Sequence, residues 1–153
     1  MRINFTTYDC RRDQDTINIR THSDIMVLAN QAEDPENRHL YWYGRVIGIF
    51  HAMVSKVGSG TGYEKIEFLW VRWYGLDMRT RSGFKARRLH QVGFLNSHDD
   101  PDTFGFIDPL DVIRAVHLIP AFHLGKTSQL LSSSLARHEE EGDEDYERYY
   151  INM

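Results

Sequence analysis

Two stretches of the sequence concentrate aromatic residues that could bind a ligand. If both stretches are extended strands, alternation divides their side chains between two faces. One face would carry the core positions Trp42, Val46, Phe50, Leu69, Val71 and Trp73. The other would present Tyr41, Tyr43 and Trp70, which could form a cage that holds a methylated ammonium group by cation–π attraction. The same three rings could instead pack the core, because each buries a large apolar area.

A basic stretch between residues 79 and 88 is the second candidate site. Its cations are Arg79, Arg81, Lys85, Arg87 and Arg88. Such side chains neutralise phosphate charge, so a nucleic acid bound here would be released by salt. A solvated loop, or one that pairs internally with acidic residues, would have the same composition. DNA is therefore one expected partner, and a purely solvated loop is the alternative.

Catalytic and metal-binding chemistry find little support in the residue pattern. The sequence holds no nucleophile with a matched base, no phosphate-cradling loop and no zinc motif. Residues 98–102, His-Asp-Asp-Pro-Asp, lack the regular alternation of oxygen donors found in calcium loops and are typical of a turn. We therefore expect no enzymatic activity, no metal and no cofactor.

Two long strands must position the aromatic stretches. Residues 40–54 and 66–74 are rich in aromatic and β-branched side chains, and residues 57–62 between them hold three glycines. This pattern predicts a hairpin. Both faces of the first strand are apolar, so it should be covered on both sides or bend across a small barrel. Gly44 and Gly48 would permit a bend, since glycine within a strand often marks a bulge.

Shorter elements complete the predicted fold. Short strands are expected at 2–8, 25–28, 104–107, 115–122 and 146–151, with helical turns after Asp108-Pro109 and from Ser128 to Leu135. Residues 9–20 should form an irregular polar crossing. Its polar residues 11–15 would satisfy buried backbone groups through charge-assisted hydrogen bonds, or form a docking surface for a parent protein or nucleic acid. Many short strands and one or two short helices indicate an all-β or mainly β fold, a small barrel with long loops.

The net charge of −4 hides an asymmetry along the chain. Seven acidic residues are clustered near the last predicted strand: Glu139, Glu140, Glu141, Asp143, Glu144, Asp145 and Glu147. Subtracting these seven from the 22 acidic residues leaves 15, against 18 lysines and arginines. The mildly basic remainder favours contact with nucleic acid. The acidic run should be a solvated linker, or a mimic of nucleic acid that faces the basic stretch.

Composition also bounds the location of the protein. A single cysteine, Cys10, cannot form an internal disulfide, which favours the reducing cytosol or nucleus. No signal peptide is visible, and no apolar run approaches the roughly 18 residues of a membrane span. We therefore expect a soluble intracellular protein without a membrane partner.

The long hairpin resembles the signature hairpin of bromo-adjacent homology (BAH) domains, which are chromatin modules. The resemblance lies in Tyr41–Phe50, with its Gly-Arg-Val, and in Phe68–Tyr74, with its Val-Arg-Trp-Tyr. Asp111–His117 and Tyr146–Asn152 are similar to later elements of these domains. The resemblance implies one BAH-like or SH3-like barrel over residues 1–153. Within it, 1–38 would be N-terminal strands and crossing segment, 39–123 the barrel core, and 124–153 the acidic segment and closing strand.

A second resemblance concerns the N-terminal residues. Phe5–Asp9, Arg11-Arg12, Gln14-Asp15 and Asp24–Leu28 are similar to C-terminal segments of basidiomycete transposon-encoded proteins of the Plavaka or KDZ type. The two resemblances together imply a nuclear, non-catalytic binding module. Its partner would be a histone-type peptide, held by the aromatic hairpin, or DNA. The alternative is a structural interaction domain that docks a transposase or another protein.

Overall fold

The computed structural model describes residues 1–6, 11–29, 39–58, 62–137 and 142–152. Cys10, the middle of the glycine-rich loop and Glu139–Glu141 lie outside this part. The described strands are β1 (Arg2–Thr6), β2 (Arg12–Thr16), β3 (Asp24–Leu28), β4 (Tyr41–Val54), β5 (Glu64–Leu76), β6 (Gln91–Phe94), β7 (Phe104–Ile107), β8 (Val112–Ala115), β9 (His117–Pro120), β10 (Lys126–Thr127), β11 (Asp145–Tyr146) and β12 (Tyr149–Asn152). Short 3-10 helices span Phe84–Ala86, Pro101–Thr103, Pro109–Asp111 and Phe122–Leu124. The prediction of a mainly β fold is confirmed.

One antiparallel sheet of eight strands forms the body of the molecule. Its order is β8-β3-β4-β5-β6-β12-β9, and β7 pairs with β5 beside this path. The two edge strands, β8 and β9, are separated in sequence by Val116 alone. A single residue spans only about 7 Å between its neighbours. The two edges of the sheet therefore meet at this point, and the sheet curls towards a barrel.

The predicted long hairpin is present, and it contains a bulge that the alternation pattern did not reveal. Strands β4 and β5 pair from Tyr43 opposite Tyr74 to Val54 opposite Glu64. The register shifts between Val46 and Gly48, so Ile47 is the extra residue of a β-bulge.

The bulge corrects the predicted core. Val46, Leu69 and Val71 are buried as expected. Phe50, however, is 45% exposed, and its assignment to the core was wrong. Because side chains alternate along a strand, one inserted residue moves every later side chain to the opposite face. Phe50 consequently shares a face with Trp70.

Separate apolar clusters cover the two faces of the hairpin, as the apolar character of both its faces predicted. One cluster contains Met26, Tyr43, Tyr74, Val92, Phe94, Leu118, Tyr149 and Ile151. The other contains Ile17, Ile25, Val27, Val46, Leu69, Val71 and Val112. Ile3 of β1 packs against the second cluster, so the N-terminal hairpin covers this face.

The polar segment 9–20 was predicted to be irregular, and the prediction is wrong for part of it. Arg12–Thr16 is a strand that pairs with β1. Charge still gives it a structural role, because the Asp15 carboxylate accepts a hydrogen bond from the backbone N–H of Ala115 at 3.0 Å. Arg114 lies 3.9 Å from the same carboxylate. This carboxylate therefore attaches the N-terminal hairpin to β8.

Helical structure is shorter than predicted. Asp108 caps a 3-10 turn by accepting the backbone N–H of Leu110 at 2.8 Å, but β8 begins directly after this turn. The helix predicted from Ser128 to Leu135 is absent from that described stretch. Among the described residues, no helix is long and apolar enough to cross a membrane.

A buried ionic cluster ties the hairpin to the C-terminal segment. Asp145 binds the guanidinium group of Arg72 through two hydrogen bonds, of 3.1 and 2.8 Å. Arg137 makes a second pair of bonds to the same carboxylate, at 3.0 and 3.1 Å. All three side chains are almost completely buried. The prediction of a solvated acidic linker is therefore wrong at Asp145, although Asp143 and Glu144 are exposed.

Substitution Asp145→Asn should destabilise the fold strongly. It removes the one carboxylate that the two buried guanidinium groups share, and breaking such a pair costs about 3–5 kcal/mol. The measurement is the free energy of unfolding from urea denaturation. The exposed neighbour provides a matched control, since Asp143→Asn should change it by less than about 0.5 kcal/mol. Similar effects of the two substitutions would contradict the assignment.

Candidate functional site

The three predicted cage residues share one face of the hairpin but lie at different levels along it. Tyr43 is opposite Tyr74, whereas Trp70 is four residues further along β5. Four residues of strand correspond to about 13 Å. The Trp70 ring contacts Phe104, with centroids 5.9 Å apart, while Tyr41 and Tyr43 both contact His39. Tyr43 is buried, and Tyr41 and Trp70 are partly exposed.

Another aromatic cluster surrounds a cation of the chain itself. The guanidinium carbon of Arg45 lies 5.1 to 5.9 Å from the ring centroids of Tyr74, Phe94 and Tyr149. The same guanidinium group forms an ion pair with Asp24 at 2.9 Å. These rings therefore hold an internal arginine by cation–π attraction, and their role is structural.

The basic stretch forms a compact loop beside a groove. Its backbone is closed by the hydrogen bond from the N–H of Gly83 to the carbonyl of Arg88, at 2.7 Å. All five predicted cations are exposed, and none makes an ion pair within the described part of the chain. Arg87 has a φ of 49°, a left-handed conformation that costs a non-glycine residue roughly 1–2 kcal/mol. The loop thus keeps an exposed arginine at a position that would favour glycine.

The groove brings residues from four parts of the chain together. It has a volume of about 920 Å³, which lies within the range of ligand sites. Arg79 and Arg88 line it, whereas Arg81, Lys85 and Arg87 do not. Further lining residues are Asp77, Thr80, Leu89, Gln91, His123, Leu124, Glu147, Arg148 and Tyr150.

Arg148, His123 and Tyr150 were missed as site residues in the sequence. The rings of His123 and Tyr150 lie nearly parallel, at 22°, with centroids 6.4 Å apart. These residues reach the basic loop because β12 pairs with both β6 and β9. Strand β6 was not predicted, so no sequence pattern connected these residues to the loop. The available signal in the sequence was the pair of charged residues followed by a pair of tyrosines at 147–150.

Gly93 fixes the position of the Arg148 side chain. A Cβ atom at Gly93 would lie 2.7 Å from a terminal nitrogen of Arg148 and 2.8 Å from the carbonyl oxygen of Glu147. That guanidinium nitrogen also donates to the same carbonyl at 2.6 Å. The arginine therefore lies flat across β6, at the place where a side chain would otherwise stand.

The pKa of Asp77, which lines the groove, depends on its hydrogen bonds and on neighbouring charges. Burial would raise the pKa of this carboxyl group, but hydrogen bonds from the Arg79 N–H and the Thr80 hydroxyl lower it. The nearby guanidinium groups of Arg148 and Arg79 lower the pKa further, and the net shift is downward. The hydrogen bonds of its own turn and two nearby guanidinium groups therefore stabilise the charged form of Asp77.

A second groove, of about 530 Å³, is less suited to an external ligand. It contains Asp24 and Asp15, and these carboxylates already bind Arg45 and Arg114. Two of its three arginines are thus paired with its two carboxylates, and Arg20 is the third. In the part of the chain that the structure describes, no three histidine, cysteine or acidic side chains converge to hold a metal ion.

His90 should titrate below the ordinary histidine pKa in the folded protein. Burial disfavours its charged form, and His39, whose ring is 4.8 Å away, lowers the pKa further. Because the folded state then binds this proton less readily than the unfolded state, the stabilising effect is complete above about pH 6.5 and is lost as the pH falls below it. An NMR titration of the His90 ring measures the pKa directly.

The substitution His39→Asn separates the two causes of the lowered His90 pKa, burial and the charge of His39. It should raise the pKa of His90 only in part, because burial is the larger cause and stays. A pKa of His90 at or above 6.5 in the unsubstituted protein would contradict the structure.

No protein-family model, curated protein or solved structure matches this chain. The likeness of the hairpin to BAH domains, and that of the N-terminal residues to transposon-encoded proteins, therefore rest on their sequence patterns.

Proposed function

We propose that this chain is a non-catalytic binding module that holds a single strand of DNA in the groove beside the basic loop. The observation that carries the proposal is the convergence of Arg79, Arg88 and Arg148 with the paired rings of His123 and Tyr150. Guanidinium groups neutralise phosphates, and a ring platform stacks on unpaired bases.

The surroundings of the groove support an anionic ligand. The other three cations of the loop, Arg81, Lys85 and Arg87, are exposed beside it and without ion pairs in the described part of the chain. Two carboxylates, Asp77 and Glu147, reduce the positive charge inside the groove. Affinity should therefore be moderate and sensitive to salt.

The two resemblances supply a setting for this activity. A BAH-like barrel of transposon origin would be a nuclear accessory domain that acts on chromatin or DNA. A transposase is then a candidate partner of the same module. For a methylated histone peptide the support is weaker, because Tyr43 is buried and the Tyr74, Phe94 and Tyr149 rings already hold Arg45.

Binding to a fluorescent single-stranded oligonucleotide should weaken about 20-fold between 50 and 200 mM salt. This value follows from three neutralised phosphates, since each contributes about −0.7 to the slope of log K against log salt. The double substitution Arg88→Gln with Arg148→Gln should weaken binding at least tenfold at 50 mM salt. It should also reduce the slope from about −2 to about −0.7. Fluorescence anisotropy measures both quantities.

The control is a double variant of equal charge in the N-terminal hairpin. Arg2 and Arg12 are exposed and lie outside the groove, so Arg2→Gln with Arg12→Gln should leave the slope unchanged. Equal losses in the two variants would indicate attraction by net charge alone. Absence of binding at 50 mM salt would contradict the proposal. It would favour the alternative, a domain that docks a transposase or other protein.

The ring platform is tested separately with Tyr150→Leu. Loss of base stacking should cost about 1–3 kcal/mol per base and leave the salt slope unchanged. A duplex of the same sequence should bind more weakly than the single strand, because its bases cannot reach the rings. Preference for the duplex would contradict the assigned mode of binding.

A further inference from the structure

Within the described part of the chain, the outer half of β4 has a neighbouring strand on one side only. Strand β3 pairs with β4 only from Tyr41 to Arg45. From Ile47 to Val54, no strand among the described residues pairs with β4 on the side away from β5. The N–H and C=O groups that point to this side are a template for another strand.

The side chains of this edge lack the usual protection against pairing. Natural edge strands are blunted with charged side chains, lysine above all, or with proline. Residues 47–54, Ile-Gly-Ile-Phe-His-Ala-Met-Val, contain no lysine, arginine, acidic residue or proline. A bulge is present, but at Ile47 it lies at one end of the segment and leaves the remainder regular. Such an edge fits a strand that is paired in the assembled protein.

Apolar side chains flank the unpaired edge. Phe50 is 45% and Met53 58% exposed. Beside them, the rings of Phe50, Phe68 and Phe106 form a row with centroids 5.6 Å apart. On the face of Phe50, the side chains of Phe50, Ile66 and Phe106 together expose roughly a few hundred Å² of apolar surface, the size at which such patches mark interaction sites. Met53 lies on the other face of the strand.

We propose that residues 47–54 pair with the same residues of a second copy of this chain, antiparallel about a two-fold axis. Opposed residues in a sheet share a face. The two-fold axis must therefore lie where one residue is opposed by its own copy, and not between two successive residues. With His51 on the axis, for example, Phe50 lies opposite Ala52 of the second copy. No register within the segment opposes two like charges at neutral pH, so the strand is complementary to itself.

The chemistry of the patch favours a second copy over other occupants. Among the described strand residues, positions 48, 50, 52 and 54 of β4 and 64, 66, 68 and 70 of β5 share the face of the phenylalanine row and include no lysine or arginine. The row therefore offers little to a phosphate backbone. Two copies would join their phenylalanine rows into one continuous apolar face and remove both unpaired edges. Burial of the exposed apolar patch, roughly a few hundred Å² per copy, would add to the strand pairing, and a standard interface buries about 800 Å² per partner.

Sedimentation velocity on the intact chain tests the proposal. At tens of micromolar the protein should sediment with twice the monomer mass of 18.0 kDa. The substitution Met53→Lys places a lysine on the edge and should weaken dimerisation at least tenfold. Its matched control is Met78→Lys, because Met78 is 70% exposed and lies far along the chain from the edge. That control should dimerise as the unsubstituted chain does.

Hydrogen exchange on the unsubstituted chain gives a second measurement that is independent of any variant. Backbone amides in residues 47–54 should become better protected as protein concentration rises, while those of β12 should not change. A monomer at every concentration would overturn the proposal, as would a dimer that Met53→Lys leaves intact while the variant stays folded. Either result leaves the DNA-binding proposal standing, because the groove lies elsewhere on the sheet.

Discussion

The pairing of Arg72 with Asp145 is the constraint on which the rest of the structure depends. It joins the middle of β5 to the residues that lead into β12, and β12 links β6 to the edge strand β9. Arg137 contacts the same carboxylate, so the irregular segment before β11 is held to the body through one anion. The Nε atoms of both arginines have no partner among the described residues. Because two guanidinium groups share one carboxylate, the cluster holds more positive than negative charge. Replacement of this carboxylate should therefore lower the stability of the fold.

Two arginines of the central hairpin are likewise held by carboxylates of the chain itself. Arg45 lies directly opposite Arg72 across the hairpin, which would be repulsive without further partners. Arg45 binds Asp24, whereas Arg72 binds Asp145, which it shares with Arg137. The guanidinium carbons of Arg45 and Arg72 lie 5.1 and 3.8 Å from the centroid of the Phe94 ring. The aromatic and basic residues that suggested a ligand site in this hairpin are thus used in large part to build its interior. Among the described residues, the cations beside the groove are those of the loop and Arg148.

Local pattern was sufficient for the hairpin and for the mainly β class, because aromatic and β-branched alternation is a property of neighbouring residues. It failed at Ile47, where one extra residue inverts the faces and exposes Phe50. It also failed at Asp145, since nothing in a run of acidic residues distinguishes the one with a buried partner. The groove could not be predicted because Arg88 and Arg148 are brought together only by the pairing of β6 with β12. Strand β6 is four residues long and includes a glycine, so its signal is weak.

The separation of Arg72 and Asp145 by 73 positions has a consequence for the synthesis of the chain. When the central hairpin leaves the ribosome, its arginine has no counterion, because residue 145 has not yet been made. Burial of an unpaired guanidinium group is unfavourable, so the barrel interior cannot close around the nascent hairpin. Closure waits for the late segment that carries the carboxylate, and until then the apolar face of the hairpin is open to chaperones.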